Sequence, residues 1–466
     1  MSADLAEGES RLLYPPPGLP PGGGGGSGSA GPADEDLRVV AARPAQDRGV
    51  RSTMTDRTNT RRVPLSVLDL ALVADGATGV QAIQRAVSLA IDLDALGYRR
   101  VWYAEHHLAP GVASASPAVL AAAVAARTSR IRVGSGAVLL STTSPLIAAE
   151  QFGTIAALHP GRVDLGLGRA FAPPPSSSDK PADGARPAQP AQPPRPPAPA
   201  VPRLVDGLYV PPAPPNGLND PALRERILAQ QEVIGAHRKP AGFREEVGLV
   251  LALQQGTYRD RTGAAYASPP VEGAAFDLWL LASSGGESAT VAGELGLPLA
   301  ANFHVSPATV LDTVAAYRAA FRPGVLAEPY VVVSADVLVA QTLERARVLA
   351  EPFADWVLSI RRGERGAIAY PSPSAATAWT DRPDAERALV ADRVDTRIVG
   401  DPATVVERLE TLVRVTGADE LLVTTATHDP AETRRSFELL AQAWGTDGAA
   451  ADRDATNSPR TTAGVA

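Results

Sequence analysis

Residues 101–107 read Val-Trp-Tyr-Ala-Glu-His-His, a short apolar run that ends on one acid and two imidazoles. Such a run predicts a β-strand that presents polar side chains at its carboxyl end. Strand alternation places Glu105 and His107 on one side and His106 on the other, so the three do not converge and no metal site is predicted. Histidine titrates near neutral pH, and we interpret His106 as an acid–base residue facing a cavity. The alternative is that both histidines are structural.

The regions on either side of this strand alternate between strand-like and helix-like patterns. Eight strands are predicted, at residues 65–72, 100–104, 131–140, 162–167, 276–282, 298–302, 330–337 and 420–425. The helices predicted between them include 79–96, 116–127, 145–158 and one long helix at 343–361. Short links between alternating elements favour parallel strands joined by right-handed crossovers. We therefore predict an α/β protein, a (β/α)8 TIM barrel with insertions, with a doubly wound open sheet as the alternative.

Composition divides the chain into a barrel domain and flanking tails. Residues 1–60 contain proline clusters and a run of five glycines, which predicts a disordered N-terminal tail. The barrel domain is predicted at residues 61–445, with a Pro/Ala-rich insertion at 172–215, and residues 446–466 are predicted to be a disordered C-terminal tail. Met1 and Met54 are the two methionines of the chain, and a natural start at Met54 is one hypothesis for the first segment.

The overall composition excludes several classes of function. The chain has 466 residues, no cysteine and a formal net charge of −7. Disulfides, thiolate metal sites and a cysteine nucleophile are therefore excluded. The mild acidity is not typical of proteins that bind nucleic acid or anionic membranes, and no apolar run approaches the roughly 18–20 residues that cross a bilayer. We expect a soluble, cytoplasmic protein without nucleic-acid or membrane partners.

Two further segments carry glycines at positions that need an explanation. Residues 133–138 read Val-Gly-Ser-Gly-Ala-Val, and glycines inside a strand usually mark a bulge or a close backbone approach. Residues 283–288 read Ser-Ser-Gly-Gly-Glu-Ser and join a strand to a helix. Free amides at such a helix start bind anions, and barrel enzymes often bind phosphate in a late strand–helix loop.

Taken in order, the segments of this chain resemble those of the bacterial luciferase-like flavin monooxygenases. No single motif is specific, whereas their order is, and the resemblance runs from about Val63 to Trp444 outside the Pro/Ala-rich insertion. The segments that carry it are Leu68–Leu70, Leu96–Tyr98, Trp102–His107, Arg130–Leu140, Pro145–Phe152, Gly161–Arg169, Leu278–Pro298 and Gly417–Thr427.

The resemblance implies an FMN site and assigns its residues. His106 is the catalytic residue beside the flavin, and a cis peptide bond is expected at Gly136-Ala137. Arg169 is expected on the flavin phosphate, although an unrelated surface ion pair is the alternative for its side chain. The implied cofactor-binding residues are Gly136, Ala137, Val138, Gly168, Arg169, Ser283, Ser284, Gly285 and Ser288.

The resemblance also implies an activity. It indicates a flavin-dependent monooxygenase in which reduced FMN, supplied by a separate reductase, reacts with O2 through a peroxyflavin and oxidises a small organic substrate such as an aldehyde or ketone. One alternative is a deazaflavin-dependent hydride-transfer oxidoreductase on the same fold, and another is a flavin-binding protein without catalysis. A homodimer through the helices after the second and third strands is implied as well.

The chain departs from the family pattern in one place. Relatives often continue Gly-Arg-Ala with Pro-Gly-Thr-Asp, whereas Phe171-Ala172-Pro173-Pro174 here leads into the insertion. Because this loop leaves the carboxyl rim of the predicted barrel, the substrate of a relative cannot be carried over. Residues 362–379 stand where the family has a mobile loop, which is expected to act as a lid.

Overall fold

The computed structural model describes residues 62–169, 201–215, 221–234, 242–363 and 366–446. The predictions for the N-terminal tail and for most of the Pro/Ala-rich insertion and the C-terminal tail lie outside these residues. No helix of the described segments is long and apolar enough to cross a membrane.

The elements of the described segments alternate as the sequence pattern indicates. The strands are β1 (Leu65–Asp69), β2 (Arg100–Tyr103), β3 (Arg132–Ser135), β4 (Val138–Leu139), β5 (Val163–Gly168), β6 (Arg203–Val205), β7 (Leu208–Val210), β8 (Phe276–Ala282), β9 (Leu299–Asn302), β10 (Val331–Val339), β11 (Ile398–Gly400) and β12 (Glu420–Thr424). The helices are α1 (Gly79–Ala95), α2 (Pro117–Ala125), α3 (Pro145–Leu158), α4 (Pro221–Ile234), α5 (Phe243–Gln254), α6 (Glu287–Glu294), α7 (Val310–Ala320), α8 (Leu343–Ala350), α9 (Phe353–Arg362), α10 (Asp384–Thr396), α11 (Pro402–Thr416) and α12 (Pro430–Trp444).

The strands form a closed parallel barrel. Its order is β1-β2-β3-β5-β8-β9-β10-β12, and β12 pairs again with β1. Leu65 aligns with Leu421 and Val67 with Val423 at the closing pair, and both pairings of β1 are parallel. Because each barrel strand matches one of the eight predicted strands, the (β/α)8 barrel is confirmed and the open sheet is excluded.

The structure differs from the predicted elements at three places. The third predicted strand is divided into β3 and β4 by a cis peptide bond between Gly136 and Ala137. The single helix predicted at 343–361 was wrong: α8 ends before Pro352, which lacks the backbone N–H that a helix interior needs, and α9 begins after it. Within the predicted insertion, the described residues 201–215 contain an antiparallel hairpin of β6 and β7.

Strand alternation sorts the side chains into an outer core and an inner column. Outward residues such as Val67 and Val101 pack under the helices. The inward apolar residues fill the centre of the barrel and are Leu68, Trp102, Ala104, Trp279, Ala300, Val332 and Leu422. His106 lies two residues beyond Ala104, after the end of β2, and therefore on the same inward face. This alternation directs His106 to the carboxyl-terminal mouth of the barrel.

A charged network closes the opposite, amino-terminal end of the barrel. Arg100 is fully buried and donates two hydrogen bonds to Glu420, at 2.7 and 3.0 Å, and one to Asp164 at 2.8 Å. Burial opposes the ionisation of Asp164, but the guanidinium groups of Arg100 and Arg132 outweigh it and lower its pKa to about 2. Burial likewise opposes ionisation of Glu420, and Arg100 again prevails and lowers the pKa of that carboxyl. The amino-terminal end of the barrel is therefore closed by a network of buried, paired charges.

Candidate active site

His106 lies at the mouth, just beyond the end of β2. Its backbone N–H donates to the carbonyl oxygen of Ser114 at 2.8 Å, which fixes the direction in which the chain leaves the barrel. The imidazole is open to solvent, yet the surrounding protein lowers its pKa below the ordinary 6.5; the charge of His107 acts in the same direction and that of Glu105 in the opposite one. An imidazole whose pKa lies below 6.5 is mainly neutral at pH 7.

Glu105 and His107 point away from this imidazole, as strand alternation predicts. The His107 ring nitrogen Nε2 lies 2.8 Å from Glu105 Oε1. Glu105 also accepts from the backbone N–H of Leu139 at 3.0 Å and from the Thr142 hydroxyl at 2.6 Å. These contacts hold the chain between β4 and α3, so Glu105 stabilises the loop beside the mouth.

The strand glycines have a packing explanation within the barrel itself. A Cβ atom on Gly136 would lie 2.8 Å from Leu68 Cδ1 and 3.2 Å from Trp102 Cβ. A Cβ atom on Gly168 would lie 3.0 Å from the Cβ of Ala137. A side chain at Gly136 would collide with the inner column, and one at Gly168 would lie tightly against Ala137. The close approach predicted from the glycines is therefore one of protein to protein.

The turn from β8 into α6 has the features of an anion site. Residues 283–287 are all exposed at the carboxyl end of β8, and Gly286 is the N-cap of α6. Within the described part of the chain, the backbone amides of Ser284 and Gly285 donate no hydrogen bond. Ser283 is engaged through both of its polar groups: its carbonyl oxygen accepts from the Thr309 hydroxyl at 2.6 Å and its own hydroxyl oxygen from Asn302 at 3.2 Å. The turn is thus anchored while its amides stay available.

Arg169 joins the two halves of the candidate site. It follows β5, and its guanidinium pairs with the carboxylate of Glu287, the first residue of α6. Both side chains are about half exposed, at 50% and 46%. The surface ion pair considered as an alternative is therefore present, but its partner belongs to the predicted phosphate turn. Arg169 can consequently reach an anion bound at that turn.

Sequence reasoning missed a polar group on the facing wall of the mouth. Asn302 ends β9 and His304 follows it, while Ser334 and Asp336 are buried on β10. Asp336 pairs with Arg393 of α10 at 3.2 Å. The signal was present in the sequence, because Asn302-Phe303-His304 ends an apolar strand in the same way as residues 105–107 do.

The segment predicted to act as a lid is fastened to two other loops. Tyr370 donates its N–H to Val73 at 2.7 Å, and the N–H of Gly111 donates to the carbonyl oxygen of Ala367, also at 2.7 Å. The ring of Tyr370 is fully buried in a hydrophobic cluster with Trp356 and residues of α9 and α10. Any opening of this segment would have to break these contacts.

A groove also lies outside the candidate site. It has a volume of about 530 Å³ and runs between α1 and α12 outside the barrel, where Asp69 and Thr425 line its floor. None of the predicted site residues lines this groove. We place the candidate active site at the barrel mouth, because His106, Arg169 and the turn into α6 all follow the carboxyl ends of barrel strands.

A closed (β/α)8 barrel that presents an imidazole, an arginine and a turn with free amides at its carboxyl-terminal mouth has the organisation of a barrel enzyme. The sequence model of one family, described as luciferase-like monooxygenase, matches residues 64–189 and 229–420. The chain belongs to this luciferase-like monooxygenase family, whose members are oxidoreductases.

Individual relatives agree with this assignment. An uncharacterised protein of Bacillus subtilis, YvbT, is 35% identical over 382 residues, which are 82% of this chain and 96% of that protein. The crystal structure of apo-MsnO8 superposes with a TM-score of 0.63 at 30% identity and covers 83% of this chain and 99% of that one. The oxygenating constituent of 3,6-diketocamphane monooxygenase from Pseudomonas putida, solved with FMN, has a TM-score of 0.53 at 18% identity, covers 82% of this chain and 97% of that one, and shares the fold.

Proposed function

We propose that this protein is a flavin-dependent monooxygenase that uses reduced FMN and O2 to oxidise a small organic substrate. One observation supports the proposal: the accessible imidazole of His106, Arg169 and the free amides before α6 all follow carboxyl ends of strands of one barrel. The His106 imidazole is the acid–base group that oxygen-transfer chemistry needs, and Arg169 and the free amides would form an anchor for a phosphate.

The residues present fit FMN in the chemistry of their donor set. The amides of Ser284 and Gly285 and the hydroxyl of Ser288 would hold the phosphate, with Ser283 fixed behind them, and Arg169 would neutralise its charge. Gly136, Ala137, Val138 and Gly168 would form the wall beside the ring system. The Glu287 carboxylate is an anion already bound to Arg169, at the position where the phosphate would lie.

When bound, reduced FMN would supply the electrons with which O2 is activated. The contribution of the protein lies in position and protonation. His106, neutral at pH 7 because desolvation by the surrounding protein lowers its pKa, would take or give a proton at one ring nitrogen next to the reacting atoms. The apolar column of Leu68, Trp102 and Trp279 forms a dry floor beneath it.

Replacing Arg169 by alanine tests the phosphate anchor. Hydrogen bonds to charged groups contribute about 1.5–3 kcal/mol, so FMN affinity should fall roughly 10- to 100-fold. Glu287→Gln should act in the opposite direction, because it removes a carboxylate that repels the phosphate and competes for Arg169. Quenching of FMN fluorescence on titration with protein measures both effects.

The matched control is Arg244→Ala. This change breaks the ion pair with Glu294, which is the last residue of α6, whereas Glu287 is the first. This variant should bind FMN like the wild type. An Arg169→Ala protein with unchanged FMN affinity would show that its ion pair with Glu287 is only a surface contact.

The proposal includes a homodimer and a separate flavin reductase as partners. Apolar side chains are exposed on the two helices that follow the second and third strands: Val119 on α2 is 67% exposed, and Ile147 and Leu158 on α3 are 49% and 70% exposed. Apolar groups on adjacent helices favour a subunit interface. Light scattering of the full chain should give the mass of two subunits, and Ile147→Glu should give that of one. A wild-type monomer at micromolar concentration would refute the dimer.

A further inference from the structure

His304 occupies the wall of the mouth opposite the strand that carries His106. It lies two residues beyond the end of β9, and its ring nitrogen Nδ1 lies 2.7 Å from the hydroxyl oxygen of Ser334. Its side chain is partly exposed. Within the described residues the other ring nitrogen, Nε2, makes no hydrogen bond, so it is available to a ligand.

The neighbours of Ser334 favour one assignment of the proton between the two ring nitrogens of His304. Asn302 uses its amide nitrogen to donate to Ser283 at 3.2 Å, so its amide oxygen is an acceptor and receives the Ser334 hydroxyl at 3.2 Å. The Ser334 oxygen in turn accepts from the N–H of Phe303 at 3.2 Å. The Asn302 amide oxygen at 3.2 Å and the Ala301 carbonyl oxygen at 3.4 Å are both placed to accept the one hydrogen of this hydroxyl. We therefore assign Ser334 as the acceptor from His304, with the proton on Nδ1 and the lone pair on Nε2.

The surrounding charges keep this imidazole neutral. Burial lowers the pKa of His304 to about 4, Asp336 acts in the opposite direction, and Arg393 and His106 lower it further. The effect of Asp336 is limited because its carboxylate is paired with Arg393. Because His106 contributes to the lowered pKa of His304, the two imidazoles lie near enough across the mouth to interact electrostatically. His304 is thus a neutral acceptor where His106 is the acid–base group.

We propose that His304 determines substrate specificity by accepting, through Nε2, a hydrogen bond from a hydroxyl or N–H group of the substrate. This inference rests on the proposed oxygenase function and adds the substrate class, a small carbonyl compound that also carries a hydrogen-bond donor. A site that offers a partly buried acceptor discriminates against analogues without the donor, because the bound analogue displaces water from the acceptor and leaves it unpaired. The chain from Ser334 through Asn302 to Ser283 also ties this acceptor to the turn that would hold the phosphate.

The protonation state can be measured without turnover. The chain has six histidines, and nitrogen-15 NMR of their side chains in the full-length protein resolves tautomer and titration, with His304→Gln identifying the signal. We expect a neutral Nδ1–H form from pH 5.5 to 8, and we expect Ser334→Ala to abolish that fixed tautomer. An Nε2–H form, or titration near pH 6.5, would overturn the inference.

The specificity is tested with cyclohexanone and 2-hydroxycyclohexanone as probes, binding to protein loaded with oxidised FMN. Wild type should prefer the hydroxylated ketone about tenfold, His304→Phe should lose the preference, and His304→Gln, which keeps an acceptor, should retain part of it. FMN affinity should be the same in all three. Failure of wild type to bind FMN would refute the oxygenase function itself. If wild type binds FMN but shows no preference between the two ketones, or if the preference survives in His304→Phe, the role of His304 is refuted while the oxygenase function stands. Weaker FMN binding in His304→Phe would also refute the role of His304.

Discussion

Replacing His106 by alanine is expected to lower the yield of oxidised substrate by about 10²- to 10⁴-fold, the usual contribution of a positioned acid–base group. FMN affinity should change little, because Arg169 and the turn into α6 would supply the anchor. The measurement is product formation from a panel of aldehydes and ketones in the presence of reduced FMN and oxygen. Since desolvation by the surrounding protein lowers the pKa of His106, activity should be constant near pH 7 and fall only below the ordinary value of 6.5.

The neighbouring histidine provides the control. His107 lies against Glu105 and points away from the mouth, so His107→Ala should cause a much smaller loss. Equal losses in the two variants would indicate a general disturbance of the loop after β2. Bound FMN with no effect of His106→Ala on any oxidation would instead favour a flavin-binding protein without catalysis.

Replacing Arg100 by methionine is expected to lower the free energy of unfolding by about 3–5 kcal/mol, because it leaves Glu420 and Asp164 buried without their main partner. Trp102 and Trp279 lie beside the guanidinium, at 5.6 and 4.6 Å from its central carbon to the ring centres, so their fluorescence reports the transition during urea unfolding. A loss below 1 kcal/mol would contradict the role given to this network.

Two further variants test whether the loss of stability comes from the buried charges left unpaired. Arg345→Met breaks an exposed ion pair with Glu432 and should cost less than about 1 kcal/mol. If Arg100→Met does not fold, the double variant with Glu420→Gln should recover part of the stability, because it removes one of the unpaired charges. The folded-state pKa values of Asp164 and Glu420 are below their usual values. Their stabilisation is therefore complete above about pH 4–5 and is lost as the pH falls towards 2, in wild type more than in Arg100→Met.

The barrel could be predicted from the sequence because each strand carries its own local pattern. Apolar runs such as 276–282 end at turn residues, and the helices between them repeat with a different period. Pro352 shows the limit of this reasoning, since the helical pattern continues across a residue that interrupts the helix. The hairpin of β6 and β7 escaped notice because its two strands have three residues each and lie in a proline-rich stretch.

The candidate site was predicted only where its residues are neighbours in sequence or are implied by the family resemblance. Glu105 and His107 could be assigned to the outer side by alternation alone. The contact between Arg169 and Glu287 joins residues 118 positions apart, and that between Arg100 and Glu420 joins residues 320 apart. Such pairs depend on barrel closure and on strand register, which no local pattern contains. His304 could have been noted from the polar residues that end its strand, but its contact with Ser334 on the neighbouring strand depends on register.

The reaction of bound reduced FMN with oxygen tests the central claim most directly. The full chain is loaded with reduced FMN under anaerobic conditions and mixed rapidly with oxygenated buffer while the flavin spectrum is recorded. We expect the flavin to be bound and to pass through a transient spectrum, distinct from both reduced and oxidised FMN, that outlasts the oxidation of free FMN. Reduced FMN that does not bind, or that oxidises at the rate seen in free solution, would contradict the monooxygenase account, and binding of a reduced deazaflavin would then favour hydride transfer.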